Sequence, residues 1–284
     1  MKARLFAVLS AAVLFVIAAI PASAASEGHS YLALGDSVPF GFNPLADASN
    51  ASNFIGYPEI VAQRLNVEDV NATCPGEATG GFLSLTGTDN VCRPYRSAFP
   101  LHAAYSGTQM DFATAYLLAH PETRLVTLTL GANDIFRFQK DCAKGPTFGT
   151  CALGIAGVFG VMFQNLNTIF ANLRATGYTG LIVAVTYYSL DYSDTSGAVA
   201  LNSPMIAAAI GHGALVASGL DAWASTANGG SSCTAGLLIS LGGGTCDVHP
   251  TPLGRDLLAG AVINAIAASC PAASPIGCLD RNRA

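Results

Sequence analysis

Apolar positions fall into short blocks along this chain, and the spacing within each block separates strands from helices. Tyr31, Leu32, Ala33 and Leu34 form a continuous apolar run closed by Gly35 and Asp36, the pattern of a buried strand feeding a turn. Arg124 to Leu130, reading R-L-V-T-L-T-L, is the strongest strand signal and ends in Gly131, Ala132, Asn133 and Asp134. Leu181 to Val185 is a third strand, and Ala214 to Ala217 a shorter candidate. Helical spacing appears through Tyr57, Ile60, Val61 and Leu65, and again over Asp111 to His120. It is longest in Phe159, Met162, Phe163, Leu166, Ile169, Phe170 and Leu173, one face of a long helix that Gly177 can terminate. A weaker helix is predicted around Pro204 to Ile210, and a last one from Pro252 to about Ala268, with Thr251 as its cap. Thr79 to Pro100, rich in Gly, Thr, Ser and Asn, reads as a long loop, as does the stretch between Cys142 and Cys151.

Strands alternating with helices in one domain predict an α/β fold, a three-layer α/β/α sandwich around a central, mostly parallel sheet. Strands that are apolar on both faces are what a helix-covered parallel sheet requires. In such sheets the ligand crevice lies beyond the carboxyl ends of the strands, which directs attention to Asp36 and Ser37 after the first strand and to Asn133 and Asp134 after the strongest.

The first residues change the cellular picture. Lys2 and Arg4 precede an apolar run from Leu5 to Ile20, and Pro21, Ala22, Ser23 and Ala24 supply the small residues of a signal-peptidase site. Residues 1–24 are therefore expected to be a signal peptide and 25–284 a single domain, exported to the extracellular space. Removal of Lys2 and Arg4 takes the formal net charge from −5 to −7. A negative surface has no general attraction for phosphate backbones, so nucleic acid is excluded as partner. Eight cysteines, all beyond residue 24, point in an exported chain to disulfides, and none forms a zinc-type pair. Their order suggests that neighbours close local loops: Cys74 with Cys92, Cys142 with Cys151, Cys233 with Cys246 and Cys270 with Cys278. No metal or other cofactor is implied, and the chain is expected to work as a monomer without an obligate protein partner.

The candidate chemistry is nucleophilic. Ser37 sits in a turn where a hydroxyl can face the crevice and the backbone N–H can point toward an anion, although serine in such a triplet also serves as a helix cap. Asp247 and His249 are two apart, so in an extended segment carboxylate and imidazole share a face, as a base and its orienting acid must. Asn133 offers a side-chain amide to an oxyanion, or alternatively caps the helix after the strand. Phe40, Phe42 and Phe54 could line an acyl groove or simply pack the first loop. His29, His102, His120 and His212 lack a carboxylate motif and read as surface or hydrogen-bonded histidines.

Taken together, these segments resemble the GDSL, or SGNH, hydrolase family. Leu34-Gly35-Asp36-Ser37-Val38 is similar to the family's first signature, with valine where its name has leucine. Asn71-Ala72-Thr73-Cys74-Pro75-Gly76-Glu77 resembles the glycine signature, Gly131-Ala132-Asn133-Asp134 the third, and Asp247-Val248-His249-Pro250 the last. His102 to Gln109 resembles the secreted bacterial branch, which includes lipases, arylesterases and phospholipases. The resemblance implies a flavodoxin-like fold, Ser37 as nucleophile, His249 and Asp247 as its partners, and an oxyanion hole of Ser37 N–H, Gly76 N–H and the Asn133 amide. It further implies a secreted esterase or lipase acting on lipid or simple acyl esters. A carbohydrate acetylesterase would use the same triad, and a catalytically silent binding protein could share the fold.

Overall fold

The computed structural model describes residues 30–145, 148–270 and 273–281. The leader expected over 1–24, and His29, lie outside them. Five strands form one parallel sheet in the order β2-β1-β3-β4-β5: β1 Ser30–Gly35, β2 Glu68–Asn71, β3 Thr123–Thr129, β4 Leu181–Val185 and β5 Leu215–Ala217. The sheet is parallel throughout, and every residue of β1 and β3 is buried.

Alternation along these strands sorts their side chains into two cores. Tyr31, Ala33, Leu125 and Val183 face helices Tyr57–Leu65 and Pro252–Ser269, through Val61, Leu65, Leu258 and Val262. Leu32, Leu34, Val126 and Leu128 face the other way, onto helices Gln109–Ala119, Phe148–Ala175 and Ser196–Gly211, through Met110, Leu166, Phe170 and Met205. This is the three-layer sandwich that two-sided apolar strands demand.

Several elements differ from the sequence expectation. Glu-Asp-Val-Asn of β2 carries no apolar run because it is a short edge strand, exposed at its first residue. Thr79–Pro100 is not one loop: it holds helices Thr79–Leu83 and Cys92–Ala98, too short for periodicity to register. The helix expected from Pro204 begins at Ser196, so Pro204 lies in its interior rather than in its first turn. A two-stranded antiparallel ribbon, β6 Leu238–Gly242 and β7 Thr245–Pro250, was not anticipated, nor was helix Gly219–Ala227, which buries Trp223. The four disulfides join the expected neighbours, Cys74–Cys92, Cys142–Cys151, Cys233–Cys246 and Cys270–Cys278.

Candidate active site

Ser37 is the first residue of helix Ser37–Phe40, directly after β1. The turn is enforced from three sides. Gly35 has φ of 132°, and a Cβ there would fall 2.0 Å from the Thr129 carbonyl oxygen. Its N–H donates to Gln109 Oε1 at 2.5 Å, and its carbonyl accepts from Gln109 Nε2 at 3.0 Å, so one buried amide brackets the residue. Asp36 caps the helix by accepting from Val38 N–H at 3.0 Å. Ser37 N–H, the first of the helix, has no intrahelical acceptor and is open to a ligand.

β7 carries the candidate base. In its extended backbone, Asp247 and His249 share a face as residues two apart do. His249 Nε2 lies 2.8 Å from Ser37 Oγ, across 212 positions of sequence. Its Nδ1 is hydrogen-bonded to Asp247 Oδ1, which also accepts the His249 backbone N–H at 3.0 Å. The bond from His249 holds the Asp247 carboxyl below the usual carboxylate range, so it stays ionised. The Phe42 ring packs edge-on to the imidazole, 4.9 Å between centroids.

Asn133 is the second residue of helix Ala132–Cys142, whose cap is Gly131, so its amide does not cap that helix. Its Oδ1 accepts from Asn90 Nδ2 at 3.0 Å and its Nδ2 points toward Asp36 Oδ2 at 3.4 Å. That arrangement turns the amide nitrogen, not the oxygen, toward the turn that holds Asp36 and Ser37. Gly76 has φ of 83°, and a Cβ there would meet Val91 Cγ2 at 2.1 Å, so only glycine fits. The neighbouring Cys74–Cys92 bridge ties its loop to helix Cys92–Ala98.

Ser37, Gly76, Asn133 and His249 all line one cavity of about 550 Å³. Its walls are mainly apolar, with Phe42, Tyr95, Phe136, Leu190, Leu201 and Val248 among them. Phe42 thus belongs to the pocket, whereas Phe40 and Phe54 pack with the Cys74–Cys92 bridge. The other described histidines stand apart: His102 bonds the Phe40 carbonyl, His212 bonds Asn167, and His120 pairs with Glu122 at 2.8 Å in an exposed contact. Glu77, Asp89 and Cys92 lie close enough together to suggest a metal site, but Cys92 is committed to its disulfide.

Sequence reasoning assigned no role to three supporting residues. Tyr187, just beyond β4, donates to Asp36 Oδ2 at 2.5 Å and accepts from Ala132 N–H at 3.1 Å, bridging the turns after β1 and β3. Burial pushes the Asp36 carboxyl up to about 6, against the bond from Tyr187 that favours its ionised form. Asn90 and Gln109 complete the set. The position of Tyr187 at a strand end was a usable signal; Asn90 lay in a stretch without periodicity.

No protein-family model matches the sequence, and no curated protein matches it. Solved structures do resemble it. A phospholipase A1 from Streptomyces albidoflavus is 18% identical, with 84% of this chain and 99% of that chain aligned at a TM-score of 0.53. A putative GDSL-like lipase from Parabacteroides merdae is 12% identical over 84% of this chain and 94% of that chain, TM-score 0.52. An acetylxylan esterase from Geobacillus stearothermophilus, solved as a catalytic mutant, is 13% identical over 84% and 93%, TM-score 0.53. With its parallel sheet flanked by helices on both faces, the chain has the fold of the GDSL-type lipases and SGNH hydrolases.

Proposed function

We propose that this protein is an exported serine ester hydrolase acting through an acyl-enzyme. The observation that carries the reading is the 2.8 Å contact of Ser37 Oγ with His249 Nε2, at the wall of a cavity with mainly apolar lining. Ser37 Oγ attacks the acyl carbonyl carbon while its proton passes to His249 Nε2, and the imidazolium so formed is stabilised by ionised Asp247. The carbonyl oxygen becomes an oxyanion received by the N–H groups of Ser37 and Gly76 and by Asn133 Nδ2. Collapse expels the alcohol, which takes the proton from Nε2, and water repeats the sequence to release the acid. Every role is filled by a side chain or backbone group, and no step calls for a metal.

The lining favours esters with an apolar acyl group, lipid or simple acyl, over acetylated sugar. The similarity to both a phospholipase and an acetylxylan esterase supports ester hydrolysis and leaves the alcohol to experiment. Four disulfides are consistent with an extracellular site of action. A fluorophosphonate should label the protein stoichiometrically at Ser37 and fail to label Ser37→Ala. In a panel of p-nitrophenyl esters from acetate to palmitate, beside a phospholipid and an acetylated xylan, longer acyl chains should be preferred. Labelling at another serine would overturn the mechanism, and turnover of the xylan alone would overturn the substrate class.

A further inference from the structure

Beyond the strand ends, helices Ala132–Cys142 and Phe148–Ala175 form an antiparallel pair. Met162 sets the level, since its Cε lies 2.7 Å from where a Cβ on Gly131 would stand, just past the end of β3 at Thr129. Residues 148–161 therefore project past the sheet on the pocket side, by roughly 20 Å at 1.5 Å per residue. The Cys142–Cys151 bridge joins the two helices at the outer end, and Gly154 lies against the Phe138 ring.

The chemistry of this projection differs from the rest of the molecule. No Asp, Glu, Lys or Arg occurs from Gly145 to Leu173. The segment Gly154–Ala175 has the length and apolarity of a membrane span, with a mean hydropathy of 1.3. Its Leu166, Ile169, Phe170 and Leu173 are packed in the core, so it belongs to the fold and cannot cross a bilayer. What stays exposed changes along the helix: Ala156, Gly157, Gly160 and Val161 in the projecting part and Phe163 at its base, then mainly polar positions, Gln164, Thr168 and Asn172 with Ala171, beside the sheet. Val161 is 53% exposed and Phe163 41%. Charge is as unevenly placed. The chain has three lysines, Lys2, Lys140 and Lys144, and the last two are both exposed where Ala132–Cys142 ends, at the outer end of the pair. Neighbouring Arg137 is neutralised by Asp141 at 2.7 Å. Around the pocket mouth at this same end, Val91, Phe136, Leu190 and Val248 are exposed as well, and the exposed carboxylates of Asp191 and Asp194 leave the attraction for an anionic surface to Lys140 and Lys144.

A second copy of the chain is a poor occupant for such a strip. Residues 156–163 form a strip about 12 Å long on a helix about 10 Å across, on the order of 100 Å², far below the ~800 Å² per partner of a stable interface. Two lysines beside an apolar, charge-free helix match an anionic phospholipid surface, phosphate for the ammonium groups and acyl boundary for the side chains. We infer that the projecting helix pair docks the protein on such a surface, through Lys140, Lys144, Val161 and Phe163, with the pocket mouth toward the lipid. The docking does not depend on ester hydrolysis, and it can be tested separately from it.

The test is sedimentation with vesicles of phosphatidylglycerol and phosphatidylcholine in equal amounts, using Ser37→Ala protein as processed by a bacterial host so that no lipid is hydrolysed. Each lysine near the surface contributes about fivefold to partitioning, so Lys140→Gln/Lys144→Gln should bind about 25-fold more weakly. The loss should disappear on pure phosphatidylcholine or in high salt. Val161→Asp/Phe163→Asp should weaken binding to both vesicle types. With Ser37 restored, both double variants should hydrolyse a soluble short-chain ester at the normal rate. Equal binding by parent and variants would overturn the proposal, as would a concentration-dependent dimer in lipid-free solution that Val161→Asp/Phe163→Asp abolishes. If no ester is turned over yet the vesicle pattern holds, the docking stands and the hydrolase reading falls.

Discussion

The proposed nucleophile and its proposed base stand on opposite kinds of foundation. Ser37 and Asn133 follow β1 and β3, adjacent central strands whose residues are all buried, and Tyr187 and Gln109 fasten the two turns from outside the strands. Asp247 and His249 ride on a two-stranded ribbon outside the sheet, whose turn end is exposed and where these two side chains keep 23% and 13% exposure. The ribbon is held by the Cys233–Cys246 bridge, by Tyr188 OH donating to the Val248 carbonyl at 2.6 Å, and by the helix that Thr251 caps. The contrast separates what must be fixed from what must be adjusted. An oxyanion site works through preorganised donors, so it belongs on the rigid core, whereas a base that takes and returns a proton can sit on a lighter support.

The largest expected effect joins the two halves. His249→Ala and Ser37→Ala should each lower kcat by roughly 10⁴- to 10⁶-fold, and the double variant no further, because the pair acts as a unit. Additive losses in steady-state kinetics would show that the 2.8 Å contact is not the working one.

The second prediction tests the rigid side. Asn133→Ala should lower kcat by about 10²- to 10³-fold with little change in KM, the signature of a donor used in the transition state. Because Gly131, not Asn133, is the helix cap, any fall in melting temperature should come from the lost bonds to Asn90 and Asp36 and be separable from the fall in kcat, which is read below it. Asn133→Asp sharpens the point, since a carboxylate would repel the oxyanion. Near-normal kcat in that variant would remove Asn133 from the mechanism.

On the ribbon side, Cys233→Ser/Cys246→Ser opens a loop with a sequence separation of 13. A loop of that size closed by a disulfide is worth about 3 kcal/mol in the chain-entropy account. The variant should lose stability and also kcat, by about tenfold, a figure set by roughly 1.4 kcal/mol of lost alignment. Cys270→Ser/Cys278→Ser, far from the site, should lose stability alone. Equal kcat in the two variants, read below their melting temperatures, would mean that the ribbon needs no staple.

The smallest effect concerns Glu77, next to Gly76. Burial pushes its carboxyl up to about 8, and the nearby Asp89 raises it further against Arg96. A carboxyl with a folded value above its ordinary 4.5 binds its proton more tightly when folded, so stability falls as pH rises from about 4.5 through 8. Glu77→Gln should flatten that slope and raise the melting temperature above pH 8. An unchanged slope in scanning calorimetry would assign the pH dependence elsewhere.

The rigid side was also the more legible one in sequence. β1, β3 and β4 announced themselves because two-sided burial forces continuous apolar runs, and the strand-end rule then pointed to Ser37 and Asn133. The ribbon left no such trace: Thr-Cys-Asp-Val-His-Pro is half exposed and lacks an apolar face, so Asp247 and His249 were found through their spacing and the family resemblance. Pairwise supports were the least legible. That Asn90 steers the Asn133 amide, or that Gln109 brackets Gly35, depends on contacts across 43 and 74 positions that no local pattern encodes.

The 212 positions between Ser37 and His249 have a consequence for biosynthesis. A ribosome that has read as far as Gly244 has made every residue of the parallel sheet together with Ser37, Gly76 and Asn133, but neither Asp247 nor His249. Up to that moment the growing polypeptide holds its serine without the imidazole that Ser37 Oγ meets in the folded chain, so the proposed pair is completed only by the closing stretch of translation.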